Sequence, residues 1–210
     1  MRIDRRNVLG RALLGVLAGT AIALAPVTAP ALSEDEAASF VRETIEQVAE
    51  LVDSEADRQA KAERLREIME QRAAMPEISR FVAGTAWRAM NEDQKERFVS
   101  AFTKFISGVY AGKFQKYSVN GDTRDAYKIG QVVDAGSRGV LVKTRIERPD
   151  QAKVLVEWLV SDKPGRPVIA DIVIEGVSLL VTEREEIGSM FEKRGGDVEK
   201  LIEHLESARA

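Results

Sequence analysis

The spacing of hydrophobic positions changes partway along the chain, from a helical period to a strand-like alternation. In the first half, apolar residues recur near every 3.6 positions, which predicts helices over residues 33–51 and 56–72, each with a heavily charged outer face. Ser33, with Glu36 three positions on, is suited to cap the first of them. A third apolar stripe predicts a helix over residues 76–90, with proline in its first turn.

The fourth predicted helix, residues 92–117 after the cap residue Asn91, carries the most aromatic surface of the chain. Residues 98–117 hold four of the seven phenylalanines and two of the three tyrosines. Any amphipathic helix that covers a sheet needs a wide apolar face, so an ordinary core wall explains the pattern. Aromatic rings also leave gaps at their edges that alkyl chains can occupy, so a wall of a lipid cavity explains it as well. The period alone leaves both interpretations open.

From Tyr127 onward, apolar and polar residues alternate as they do in strands with one buried face. The alternation predicts four strands, over residues 127–133, 140–146, 154–161 and 168–174, with turns at 147–151 and 163–167. One face of these strands is apolar and the other is largely charged. We therefore expect an antiparallel sheet covered by helices on a single side, which is an α+β fold. A short apolar segment then leads to two charged helices, over residues 183–194 and 197–208, separated by a Gly-Gly break.

The N-terminus has the features of an export signal. Four arginines lie among the first eleven residues, an uncharged stretch follows, and Ala29-Pro30-Ala31 fits a signal-peptidase site. The apolar core, residues 12–25, has 14 residues, fewer than the roughly 20 that span a bilayer. Residues 4–9 resemble the twin-arginine consensus, and an ordinary secretory signal with adjacent arginines is the alternative. We expect a cleaved signal peptide over residues 1–31 and one mature domain over residues 32–210.

The charge and cysteine content of the mature chain exclude several classes of function. Removal of residues 1–31 takes away four basic residues and one acidic residue, which leaves 27 Lys and Arg against 33 Asp and Glu, a net charge of −6. Such a surface does not attract nucleic acid, and no dense basic tract interrupts it. The chain has no cysteine, so neither disulfides nor thiol chemistry contributes.

The sequence contains no arrangement of residues that is typical of an enzyme. His204 is the only histidine and lies in a polar terminal helix, where a surface role is expected. Ser178 lacks the following glycine of a nucleophile elbow. We expect Asp171 and Glu175 to share a strand face four residues apart, roughly 13 Å, which is too far for a paired-carboxylate glycosidase, so their expected role is to bind water and stabilise a turn. No catalytic residue, metal ligand or dinucleotide motif is predicted.

Three segments, in the same order and spacing, resemble the MlaC family of periplasmic phospholipid-binding proteins, also called toluene-tolerance proteins. They are RFVAG followed by Trp87-Arg88, then residues 91–98 (NEDQKERF) at the start of the aromatic helix, and residues 171–180 (DIVIEGVSLL). The last run is the most distinctive. The chain departs from the family at Thr182-Glu183-Arg184, where Asn-Tyr-Arg is common, and the strand before Pro167 lacks the usual Gly-Trp-Lys. The hopanoid-associated relatives are the alternative branch of the family.

The resemblance implies a cystatin-like α+β domain whose sheet and helices enclose an apolar pocket for acyl chains, with the headgroup outside. It implies a monomeric, non-enzymatic periplasmic carrier that moves phospholipid between the inner and outer membranes and so maintains outer-membrane lipid asymmetry. The implied partners are an inner-membrane ABC transporter with its substrate-binding subunit and an outer-membrane lipoprotein complex. Phospholipid is cargo, and no cofactor is implied. The alternatives are an exported partner-binding module without lipid, a hopanoid-associated carrier and a hydrolase with a polar cleft.

The predicted lipid-binding residues come from both halves of the domain. On the helices they are Trp87, Phe98, Phe102, Phe105, Ile106, Tyr110 and Tyr117, and on the sheet side Val142, Val156, Trp158, Ile172, Ile174, Val177 and Leu179. Some of them must be plain core, and the pattern does not separate the two groups. Arg88 and Arg184 are candidates to meet a phosphate at the pocket rim, and solvated surface charge is the alternative for each.

Overall fold

A computed structural model of the chain describes residues 32–113, 123–147, 152–163 and 165–208. The predicted signal peptide and parts of both predicted turns therefore lie outside the described residues. The helices are α1 (Glu34–Asp53), α2 (Arg58–Arg72), α3 (Met75–Ala83), α4 (Ala86–Ala89), α5 (Glu92–Ala111), α6 (Thr123–Ala126), α7 (Leu179–Lys193) and α8 (Val198–Ser207). The strands are β1 (Tyr127–Asp134), β2 (Val140–Ile146), β3 (Val154–Ser161), β4 (Val168–Ile174) and β5 (Val177–Ser178), with a short 3₁₀ turn at Gly136–Arg138. Among the described residues, every helix is too short or too polar to cross a bilayer.

The starts of α1 and α5 confirm the cap residues predicted from sequence. Ser33 Oγ accepts a hydrogen bond from the Glu36 amide at 3.2 Å, and the Glu36 carboxylate accepts one from the Ser33 amide at 3.0 Å. Asn91 and Gln94 form the same reciprocal pair, at 2.8 and 3.1 Å. Both pairs satisfy amides that the first helical turn leaves without a partner, so these two boundaries are set by local chemistry.

Three other helix boundaries predicted from sequence are wrong. The helix expected over residues 76–90 is two helices, because Gly84 adopts φ +56° between α3 and α4. The aromatic helix ends at Ala111 instead of continuing to residue 117, and Phe114 and Tyr117 lie outside the described residues. Helix α7 begins at Leu179 instead of residue 183, because Ser178 Oγ accepts from the Val181 amide at 3.1 Å and caps it.

The sheet is an antiparallel meander in the order β1-β2-β3-β4-β5, which confirms the predicted α+β fold and adds a two-residue fifth strand. Alternate residues of β2 and β3 are buried on one face, so Val142 pairs with Trp158, and Trp158 in turn pairs with Ile172 of β4. Helix α1 lies across this face and contacts β1, β2 and β3. The face that was predicted to be apolar is therefore the one that the helix covers.

A β-bulge interrupts the alternation in β4. Leu159 of β3 pairs with Asp171, but the next residue, Val160, pairs with Ile169, so Ala170 is the extra residue. The strict alternation expected from sequence is wrong at this point, because the consecutive residues Val168 and Ile169 are both buried. The expectation that Glu175 shares a strand face with Asp171 is also wrong, because the strand ends at Ile174 and Glu175 lies in the following turn with φ +50°.

The buried side chains form two main clusters. We call the first the helical core: Met75, Val82, Ala83, Ala86, Met90, Phe98, Ala101, Phe102, Ile106, Ile187, Val198, Leu201, Ile202 and Leu205. We call the second the sheet core: Ala37, Val41, Ile45, Val140, Val142, Val156, Trp158, Val160 and Ile169. A small third cluster, Leu51, Leu65 and Ile68, lies between α1 and α2. The three clusters surround the region where the candidate site lies.

Candidate functional site: an apolar cavity between the two cores

A cavity of about 230 Å³ lies where the helical core meets the sheet core. Its lining includes side chains from α1, α2, α3, α5, α7 and β3 to β4. The apolar lining residues are Val48, Leu65, Ile68, Met69, Ala73, Met75, Ile78, Val82, Phe102, Ile106, Tyr110, Trp158, Ile169, Ala170, Ile172, Leu179 and Leu180. The surface of the cavity is almost wholly apolar, which suits hydrocarbon more than a polar ligand.

The helical wall comes largely from one stripe of α5. Phe102, Ile106 and Tyr110 are four residues apart, so they lie one above another on the same face of the helix. Phe98 begins the same stripe, and its ring stacks on that of Phe102 with centroids 6.0 Å apart. Phe98 also meets Trp87 edge to face at 6.4 Å and belongs to the helical core. The stripe therefore passes from filled core to cavity wall between Phe98 and Phe102.

The sheet wall centres on Trp158. Its indole Nε1 donates to Thr144 Oγ1 at 3.0 Å, and Thr144 in turn donates to the carbonyl of Val156 at 3.1 Å. These bonds satisfy the polar atoms of two buried residues, so the indole presents only its apolar surface to the cavity. The β4 bulge adds Ile169 to the same wall.

The third wall depends on a polar residue that stabilises the turn into α7. The Asp171 carboxylate accepts from Ser178 Oγ at 2.7 Å and from the Leu180 amide at 3.1 Å. These bonds hold the start of α7 against β4 and bring Leu179 and Leu180 to the cavity. The turn-stabilising role expected of Asp171 is confirmed. Glu175 has a related role, since its side chain accepts from the amide of Leu155 on the neighbouring strand β3.

Glu183 is a partly exposed ionisable side chain at the border of the cavity. Tyr110 Oη donates to Glu183 Oε1 at 3.1 Å and links α5 to α7. Burial raises the pKa of Glu183, and nearby Glu186 adds to the rise, while the Tyr110 hydrogen bond and the charge of Lys113 oppose it. The Lys113 ammonium lies 4.7 Å from the centre of the Tyr110 ring. Sequence reasoning missed Glu183, although the departure from the family pattern at this position was a visible signal.

The predicted lipid-binding residues occupy three different environments. Those that line the cavity are Phe102, Ile106, Tyr110, Trp158, Ile172 and Leu179. Those that pack in or against the two cores are Trp87, Phe98, Phe105, Val142, Val156 and Ile174. Val177 is 59% exposed on β5, away from the lining, and Tyr117 lies outside the described residues. Contact with lipid stays a prediction for all of them.

The two rim arginines lie elsewhere on the surface. Arg184 donates to the carbonyl of Phe81 at 2.8 Å, and its guanidinium lies 4.7 Å from the centre of the Phe81 ring. It thus fastens α7 to the end of α3. Arg88 is exposed on α4. Neither residue lines the cavity, and a contact with phosphate stays a prediction for both.

Sequence reasoning missed the contribution of α2 to the cavity. Leu65, Ile68 and Met69 are spaced three and four residues apart and lie on one face, but they are surrounded by charged residues. Their spacing was the available signal, and the high charge of the helix hid it. Ile169 had no comparable signal, because its inward position follows from the bulge.

Candidate groups for other chemistry are few in the described part of the chain. His204 is partly buried on α8, where burial and the charge of Arg194 lower its pKa. The described residues contain no cluster of three or more histidine, aspartate or glutamate side chains suited to hold a metal ion. The cavity is therefore the candidate site for which geometry and lining chemistry agree.

Comparisons with known proteins point in the same direction. The sequence matches the MlaC protein family over residues 38–207. Among solved structures, a phospholipid-binding protein from Ralstonia solanacearum, determined in complex with a phospholipid, superposes with a TM-score of 0.63 at 19% identity. The match covers 80% of this chain and 94% of that one. No curated protein matches the sequence.

Proposed function

This chain belongs to the MlaC family, and we propose that it is a periplasmic phospholipid carrier that holds acyl chains in the cavity between its two cores. The observation that carries the proposal is the lining of that cavity, which is almost wholly apolar and includes residues of α5, α2, α7 and the sheet. The structural neighbour from Ralstonia supports it, because that protein of similar fold was determined with a phospholipid bound.

The size of the cavity indicates how acyl chains are accommodated. At about 230 Å³ it exceeds the cavity of about 150 Å³ that admits benzene, and it is smaller than the pockets of about 300–1,000 Å³ that hold larger ligands. Two acyl chains therefore require the walls to move apart. We propose that the wall at the start of α7 is the one that moves, and that the polar contacts of Asp171 and the Tyr110–Glu183 hydrogen bond are released when it does.

Shielding of the chains explains why a carrier is needed. Two chains of about 16 carbons represent about 25 kcal/mol of transfer free energy, at about 0.8 kcal/mol per methylene, so free lipid does not cross an aqueous space at a useful rate. A dry pocket offsets that cost during transit. Since a bilayer surrounds the chains with equally apolar groups, the lipid can leave again without any chemical step.

Loading and unloading then depend on partner proteins. We propose an inner-membrane ABC transporter with its substrate-binding subunit at one membrane and an outer-membrane lipoprotein complex at the other. Transfer between them would contribute to outer-membrane lipid asymmetry. This assignment uses the predicted signal peptide for export and needs no cofactor and no catalytic residue in the carrier, which we expect to act as a monomer.

The test is to identify what the purified protein holds and then to fill the cavity. Protein isolated from a bacterial periplasm should release phospholipid on organic extraction, and native mass spectrometry should show the same mass on the intact protein. The variant Leu180→Trp places an indole in the cavity and should retain about tenfold less lipid.

Leu155→Trp is the matched control, because Leu155 is 56% exposed on the sheet and does not line the cavity. It should retain lipid like the wild type. A lipid-free wild type would overturn the proposal, and so would equal loss of lipid in both variants. Extraction of a hopanoid in place of phospholipid would move the chain to the hopanoid-associated branch.

A further inference from the structure

The polar residues that line the cavity differ in whether they already have partners. Thr44 Oγ1 donates to the carbonyl of Phe40 at 2.8 Å. Arg72 pairs with Glu43 at 3.1 Å, and its guanidinium lies 5.1 Å from the centre of the Phe40 ring. Asp171 accepts from the turn into α7. Each of these three groups already has a partner that holds the fold.

Within the described part of the chain, Glu183 uses one of its two carboxylate oxygens in a hydrogen bond. Its Oε1 accepts from Tyr110, but Oε2 accepts no hydrogen bond from any residue in the part of the chain that the structure describes. The side chain is partly buried at the cavity, whereas Lys113 and Glu186 beside it are exposed. The carboxylate thus lies between the apolar cavity and solvent, which is where the headgroup of a lipid with buried chains would be placed.

The side chains around Glu183 carry charges of both signs. Lys113 lies over the Tyr110 ring and supplies one cation, while Glu183 and Glu186 supply two anions. A phosphodiester alone would gain from Lys113 but would be repelled by both carboxylates. A headgroup with a phosphodiester and a primary ammonium carries charges of both signs, so each of its charged groups has a partner here.

We infer that Glu183 and Lys113 form a headgroup site that favours phospholipids bearing a primary ammonium over phospholipids with an uncharged polar headgroup. This inference rests on the proposed carrier function. The ammonium donates to the Glu183 carboxylate, and the phosphodiester oxygen accepts from Lys113. An ammonium and a carboxylate attract each other as two full charges, whereas a glycerol hydroxyl brings no charge to the same place, so it is a weaker partner for the carboxylate.

The experiment compares two lipids that differ only in the headgroup. Delipidated full-length mature protein is incubated with vesicles that contain equal amounts of phosphatidylethanolamine and phosphatidylglycerol, both with palmitoyl and oleoyl chains. Bound lipid is then quantified by mass spectrometry. The wild type should take up phosphatidylethanolamine in preference by about fivefold or more. Glu183→Gln should bring the ratio close to the composition of the vesicles while total uptake continues.

Two further variants separate the contributions at this site. Glu185→Gln removes the same charge from a neighbouring exposed position of α7 and should keep the wild-type ratio. Lys113→Gln should lower uptake of both lipids by the same factor, because both carry the phosphodiester. Circular dichroism of each variant checks that the fold is retained.

A wild type that takes up both lipids equally, or that prefers phosphatidylglycerol, would overturn the inference. So would a change in the ratio of the two bound lipids that is as large in Glu185→Gln as in Glu183→Gln. Unchanged uptake by Lys113→Gln would overturn the phosphate contact. Failure of the proposed carrier function has a different result, since the wild type would then take up neither lipid.

Discussion

The two halves of α5 have the same aromatic character but different surroundings. Near its N-terminus, Phe98 is fully buried in the helical core with Leu201 and Leu205 of α8. Two turns later, Ile106 and Tyr110 border the cavity. Helix α8 fits closely against the first half, whereas α2, α7 and the bulged strand leave space beside the second. A hydrophobic stripe is thus a core or a ligand wall according to what packs against it.

The electrostatic surroundings of the two halves also differ. At the closely packed end, Arg97 donates to Glu206 at 3.0 Å and also pairs with Glu199, which fastens α5 to α8 on the surface. The Arg97 hydrogen bond, followed by one from Gln94, lowers the pKa of Glu199. At the cavity end, burial raises the pKa of Glu183. The charged form of Glu199 is thus stabilised by its surroundings, whereas the charged form of Glu183 is destabilised.

The largest contrast should come from matched leucine truncations. Leu205→Ala empties a filled core and should lower the free energy of unfolding by about 4 kcal/mol, within the range found for buried leucines. Leu65 lines the cavity, so its side chain already lacks neighbours on one side, and Leu65→Ala should cost about 2 kcal/mol. Urea denaturation followed by circular dichroism measures both values.

The lipid extraction described above serves as the control for this pair, because Leu205→Ala protein that remains folded should still release phospholipid. Equal costs for the two truncations would show that the cavity is closed up in solution and would remove the contrast between the two regions.

The second contrast enlarges a side chain in each region instead of truncating one. Ala86 is fully buried in the helical core, so Ala86→Leu forces atoms into filled space and should cost about 1–3 kcal/mol. Ala170 lines the cavity at the bulge, where added methyl groups have room, and Ala170→Leu should cost less than about 1 kcal/mol. Thermal unfolding of the two variants ranks them. A larger loss for Ala170→Leu would mean that the bulge, and not the space, limits what this position accepts.

The smallest contrast concerns pH. The folded state binds a proton at Glu183 more tightly than the unfolded chain does, so this residue lowers stability as pH rises from 4.5, its ordinary pKa, through the raised pKa. As pH rises through this range, the free energy of unfolding of Glu183→Gln should therefore increase relative to that of the wild type. Tyr110, Lys113 and Glu186 face the same carboxylate and remain unchanged in the variant.

Glu199 should show the opposite slope. Its lowered pKa contributes stability that is present above the unfolded value and is lost as pH falls through the folded value. Glu199→Gln should therefore be less stable than the wild type at neutral pH and should approach it at low pH. Denaturation of both variants across the pH series measures the slopes, and slopes of the same sign would contradict the contrast between the two carboxylates.

Local chemistry was readable from the sequence. The capping pairs at Ser33 and Asn91, the α+β order and the antiparallel meander all depend on residues close together along the chain, and the structure has each of them. The family was readable for the same reason, since DIVIEGVSLL combines a strand, a turn and a capped helix start in one short run. Its Asp171 fastens that helix start to the strand, which is a local bond.

The division between core and cavity was decided only by the tertiary structure. Phe98 and Phe102 belong to one stripe with one period, yet only Phe102 borders the cavity, because α8 covers the first and leaves the second to α2 and the sheet. The bulge that turns Ile169 inward and the proximity of Glu183 to Tyr110 likewise depend on partners far along the chain. Periodicity reports which face of an element is buried. The volume left beside that face depends on how three or more elements fit together, and no local pattern encodes it.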